Sequence, residues 1–164
     1  MKRGIWGRTL LGIAALCLAA SAASAASAGS NPLVGNWDLD PAKSTMNGQA
    51  GSYKSGHASV TGTKTGVKAV VDIVPATGAA VHYEFSATYD GESYPVTGGA
   101  YFDSATMLRA DRNTSIRTER RGGKVVGFTT IEVAKDGKTM TSSSRATVDG
   151  KPFNRVLSWN HAKK

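Results

Sequence analysis

Cysteine is almost absent from this 164-residue chain, and the single example, Cys17, lies inside an apolar run near its start. Residues 29–164 therefore offer no disulfide, no thiolate nucleophile and no thiolate metal ligand. Histidine is scarce too: His57, His82 and His161 occur without a His-x-His or His-Glu-x-x-His spacing. That removes the usual signature of a dedicated zinc site, so neither a metal nor any other cofactor is assigned. No Gly-x-Ser-x-Gly turn surrounds a serine, and Gly98-Gly99 and Gly122-Gly123 lack the context of a phosphate-binding loop. Leucines are few, glycines number 19, and no stretch keeps an apolar helical period over three turns. Length and composition exclude a multidomain enzyme, a coiled coil and a polytopic membrane protein.

The first 28 residues are composed as an export signal. Lys2, Arg3 and Arg8 precede the apolar run 10–20, and Ala-x-Ala sites follow at Ala23-Ser24-Ala25 and Ala26-Ser27-Ala28. The run is far short of the ~20 residues that span a bilayer. Leu16 before Cys17 departs from the lipoprotein pattern, so no lipid attachment is expected. The reading is an exported chain, periplasmic or secreted, with residues 1–28 removed and one domain over 29–164. The whole chain has 20 Lys and Arg against 12 Asp and Glu, and the leader holds three of the cations and no acid.

Turn signals punctuate the rest: Asn47-Gly48, Asp90-Gly91, Gly122-Gly123, Asp136-Gly137 and Asp149-Gly150. These pairs suit tight hairpins. Between them, strands are predicted at 34–39, 52–62, 67–74, 80–89, 92–96, 105–110, 115–121, 124–134, 138–148 and 152–160. A short helix is expected over 41–46, after Pro41. The clearest alternation puts Val81, Tyr83, Phe85, Ala87 and Tyr89 on one face and His82 and Glu84 on the other. In 124–134 the odd-numbered residues are favoured as core, because Glu132 belongs to the even set. Closure removes exposed edges, so the expected fold is all-β: a single antiparallel up-and-down barrel of about eight to ten strands, with a two-sheet β-sandwich as the alternative.

Gly35-x-Trp37 on the first strand, with a meander of hairpins behind it, resembles the opening of lipocalins and fatty-acid-binding proteins, the calycin group. The stretches GNWDLDPAKS, HYEFSATYDGESYPVTG and KDGKTMT are similar to a family of small exported bacterial proteins without an assigned activity. The resemblance implies a closed barrel with an internal site for a small apolar or amphipathic molecule. Arg155-Val156-Leu157 stands where fatty-acid-binding proteins show Arg-x-Tyr, so fatty-acid binding itself is not carried over. Lipocalins also resemble one another in packing a basic residue across the first-strand Trp, which suggests Arg155 stacked on Trp37.

Candidate interior residues follow from shared faces: Trp37, Tyr83, Phe85, Tyr89, Ser142, Ser144, Arg155 and Trp159, with Phe128 as a further option. Carboxylates fall in Asp-Gly turns or on wet faces, so no acid–base pair stands out and no catalytic residue is assigned. Arg117, Arg120, Arg121 and Lys124 surround the Gly122-Gly123 turn and read as a solvated hairpin tip. Such a tip could touch an anionic surface weakly. Few aromatics interleave with it, which argues against nucleic acid. His161 is expected in a frayed tail, and Asn113-Thr114-Ser115 in a hairpin loop. Three functions compete: a monomeric, non-enzymatic binder of a small apolar or amphipathic molecule; an envelope protein with a solid core acting through its surface; and a small barrel isomerase or cyclase.

Overall fold

The structure is a computed structural model that describes residues 31–163. The expected leader lies outside the described residues. Ten antiparallel strands form the wall: β1 (Gly35–Leu39), β4 (Tyr53–Gly62), β5 (Gly66–Pro75), β6 (Val81–Thr88), β7 (Tyr94–Thr97), β8 (Ser104–Arg109), β9 (Thr114–Arg121), β10 (Lys124–Val133), β11 (Thr139–Val148) and β12 (Lys151–His161). Each pairs with the next, and β12 returns to β1, so the sheet closes as an up-and-down barrel. Two short strands, β2 (Thr45–Met46) and β3 (Gln49–Ala50), form an outlying hairpin against β12. The helix expected over 41–46 is only a 3-10 turn at Pro41–Lys43, capped by the Asp40 side chain. Beyond it, Ser44 is buried and its hydroxyl bridges Asp40 O and Ser158 N, which drags the chain onto β12 as a strand.

Period-two alternation decides which residues fill the barrel. Ala58 and Val60, Val67 to Ile73 in steps of two, and Tyr83, Phe85 and Ala87 are all buried. Their neighbours Asp38, His57, Asp72 and His82 fall in one cross-strand row on the outside, with His57 bonded to Asp38 and His82 to Asp72. On these strands apolar side chains face inward and charged ones outward. Strand β10 follows its odd-numbered set only from Gly127 onward. A bulge between Val125 and Gly127 leaves Val125 outside. Phe128, considered for the interior, is 53% exposed on the outer face.

Closure at β1–β12 has a different register from the one expected. Trp37 sits opposite His161 and Leu39 opposite Trp159. Arg155 lies six positions back along β12, about 20 Å away at strand rise, and pairs with Met46 of β2 instead. Hence Arg155 does not stack on Trp37. The edge of the Trp37 indole meets His161 instead, with centroids 4.9 Å apart. His161 is thus the last residue of β12, its N–H bonded to Lys138 O, and not a frayed tail. The short β1 can reach only the C-terminal end of the eleven-residue β12, which fixes this offset.

Candidate functional site

The interior is lined differently on its two sides. Strands β4 to β6 contribute Ala58, Val60, Val67, Ala69, Val71, Tyr83 and Phe85 to a hollow that Met107, Ile131, Met140, Leu157 and Trp159 complete. The cavity between these atoms is about 40 Å³. A cavity of this size admits no ligand of ordinary size without side-chain movement. From below, Leu33 reaches into the hollow; its carbonyl accepts the Trp37 Nε1–H at 3.0 Å, and Asn31 Nδ2 donates to the Tyr89 hydroxyl at 2.9 Å.

The opposite wall carries a row of polar side chains. Arg117, Thr129, Ser144 and Arg155 are mutual register partners across β9 to β12. Thr129 and Ser144 share a hydrogen bond of 2.9 Å. Beside the row, Glu119 is completely buried. Its Oε1 accepts from Arg117 Nη2 at 2.6 Å, Arg117 Nε at 3.1 Å and Thr129 Oγ1 at 2.8 Å, and its Oε2 accepts from Tyr101 at 2.8 Å. Arg117 Nη1 also donates to the Tyr83 hydroxyl at 3.2 Å. Room for the carboxylate comes from Gly127, where an added Cβ would stand 2.8 Å from Glu119 Oε2. Burial raises the Glu119 pKa, but the Arg117 charge and the donated hydrogen bonds outweigh it and hold the group below its ordinary value. The Tyr101 hydroxyl is pushed well up, chiefly by burial. With four donors already on it, Glu119 is a structural anion with no open position facing the hollow.

These two residues correct the sequence reading. Arg117 is not part of a solvated hairpin tip but a buried cation, and Glu119 is a carboxylate on no wet face. The alternation of β9 could not show this, because Ile116 occupies the other face and is the more core-like residue. The sole trace in the sequence is opposite charge at i and i+2, which places both side chains on one face.

Arg155 is the second buried cation, at 6% exposure, and its situation differs. No carboxylate of the described residues lies within 4.0 Å of it. Its Nη2 reaches Ser144 Oγ at only 3.5 Å, its Nε has no partner, and its guanidinium carbon lies 5.7 Å from the Phe153 ring centre. The Tyr53 hydroxyl is likewise buried without a partner. Burial raises its pKa, and the Arg155 charge acts against that rise.

Of the residues singled out from the sequence, Tyr83, Phe85, Ser142, Arg155 and Trp159 line the hollow together. Ser142 accepts the Trp159 Nε1–H at 3.1 Å. Ser144 stands behind Arg155 in the polar row. Trp37 is buried beneath the hollow, and Tyr89 is at the rim under the Arg109 guanidinium, 4.4 Å from its ring centre. Tyr53, Arg117 and Thr129 were missed. Among the described residues no group of three or more His, Asp or Glu is placed to hold a metal.

The ring of ten strands makes the described residues a closed antiparallel meander barrel. No protein-family model matches the sequence, and no curated protein matches it significantly. Among solved structures the chain is similar in shape to zebrafish ileal bile acid-binding protein complexed with cholic acid. The identity is 9%, the TM-score is 0.49, and the match covers 80% of this chain and 99% of that one.

Proposed function

We propose that the barrel binds a small amphipathic anion, its apolar body against β4 to β6 and its anionic group at Arg155. One observation carries this reading: a buried guanidinium with no carboxylate among the described residues and an unpartnered Nε, facing an apolar hollow. An uncompensated buried charge is costly. A carboxylate or a sulfate ester would supply the missing acceptors as charge-assisted hydrogen bonds, and the Tyr53 hydroxyl is a further donor without a partner. Glu119 neutralises Arg117, so one net positive charge remains inside, which suits a monoanion. Ligand pockets typically hold ~300–1,000 Å³, so the guest must push side chains aside. Met107 and Met140, long and unbranched, are suited to that movement. In this reading the domain is a carrier acting outside the cytoplasm once residues 1–28 are removed.

The small free volume favours a second reading, in which the interior is a solid core and the protein acts only through its surface. Titration of residues 29–164 with dodecanoate and with dodecanol, followed by calorimetry, separates the two. The carrier reading expects dodecanoate to bind at least about tenfold more tightly than dodecanol, and Arg155→Met to erase that preference. Failure of both probes to bind, together with no co-purifying molecule in native mass spectra of protein from its own envelope, would establish the solid core.

A further inference from the structure

Beyond the interior, we propose that the end of the barrel carrying the β9–β10 and β11–β12 turns is a docking surface for an anionic lipid bilayer. The two turns are neighbours because β10 and β11 pair along their length. At the first, Arg121 and Lys124 stand directly opposite each other across Gly122-Gly123, whose φ angles of 57° and 77° make the tight turn. Like charges placed so destabilise a strand pair. Arg120 and Arg145 flank them, and Lys151 opens β12 at the second turn. None of these five cations has a carboxylate within 4.0 Å among the described residues. The acids nearby are Asp149, in the second turn, and Asp103, whose Oδ2 accepts the Gly122 N–H at 2.8 Å.

Apolar side chains project from the same patch. The bulge in β10 turns Val126 and Gly127 toward the interior, so Val125 and Phe128 become successive outward residues, 44% and 53% exposed. Val125 stands opposite Arg120, and Phe128 lies between Thr118 and Arg145. An exposed aromatic ring set among unpaired cations is the composition of an interfacial anchor: the ring enters the acyl boundary while the cations meet lipid phosphates. A soluble polyanion would use the cations and leave Phe128 in water, whereas a bilayer engages both. The wall at β1 to β6 offers no such surface, since Asp38, His57, Asp72 and His82 alternate there.

The test is co-sedimentation of residues 29–164 with vesicles of phosphatidylglycerol and phosphatidylcholine in equal parts, and with phosphatidylcholine alone. Binding to the anionic vesicles only, lost on raising salt to about 0.5 M, is expected. Lys124→Gln should weaken it about fivefold and Phe128→Ser about tenfold. Neither variant should lower the melting temperature, and Phe128→Ser should leave dodecanoate titration in the absence of vesicles unchanged. The proposal fails if anionic vesicles are not bound, if Phe128→Ser sediments like wild type, or if heparin binds wild type and Phe128→Ser equally while vesicles bind neither.

Discussion

Strands β4 to β6 and strands β9 to β12 face each other across one interior, yet they are held by different physics. The first group presents Ala58, Val60, Val67, Val71, Ile73 and Phe85, whose burial needs no partner of any particular orientation. The second turns Arg117, Glu119, Thr129, Ser144 and Arg155 into the same space, where each polar atom needs a correctly placed partner. Both oxygens of Glu119 have partners, whereas the Nε of Arg155 has none. The comparison teaches that the polar wall is at once the most specified part of the core and the part left incomplete. On that wall the incompleteness is concentrated at the Arg155 Nε, the group that the proposed guest would satisfy.

The sharpest way to break this contrast is to remove one member of the satisfied pair. Arg117→Met leaves Glu119 charged in the interior, and urea denaturation should show a loss of about 3–5 kcal/mol. Replacing Glu119 by Leu in the same chain should recover most of it, because two apolar residues leave no buried charge behind. On the apolar wall, Phe85→Ala should cost about 3–5 kcal/mol through lost burial and a cavity. No second substitution among the polar residues should rescue it.

Arg155→Met is expected to go the other way. Without ligand it removes a charge that has no carboxylate, so stability in urea should hold or rise by about 1 kcal/mol; a large loss would show that Arg155 is a satisfied structural residue. Acid provides a milder probe. The folded pKa of Glu119 lies below 4.5, and Asp90 is lowered from 3.8 to about 2 by hydrogen bonds from Thr88, Tyr94 and Glu92 N–H. In both cases the unfolded chain takes up its proton first as pH falls. Stability should therefore be fully present above about pH 5 and decline below it, the Asp90 share being lost between 3.8 and about 2. Melting temperatures from pH 7 to pH 2 check this, and Arg117→Met with Glu119→Leu should flatten the part of the decline that Glu119 causes. Smallest of all, His82→Ala on the exposed outer row should shift stability by less than about 0.5 kcal/mol.

Much of the wall was legible beforehand. All ten barrel strands were expected within a residue or two of where they lie, because turn pairs such as Gly122-Gly123 and Asp149-Gly150 demand positive φ and the runs between them alternate. Alternation also made Tyr83, Phe85, Ser142, Arg155 and Trp159 interior candidates, and these five line the hollow. It failed at β9, where Arg117 and Glu119 occupy the face a hydrophobicity pattern assigns to solvent. The Trp37–Arg155 contact failed for another reason: parity tells which face a residue takes, but not how far two strands slide past each other.

The sequence by itself determined the strands, their turns and the inward face of most of them, since these depend on dihedral preference and a two-residue period that are local properties of the chain. Only the tertiary structure decided that β12 meets β1 at His161, that Arg117 and Glu119 neutralise each other out of water, and that Arg155 is left without a carboxylate among the described residues. Those outcomes depend on the register of strands far apart in the chain. Whether a buried charge is tolerated depends in turn on the few atoms that this register brings within hydrogen-bond reach.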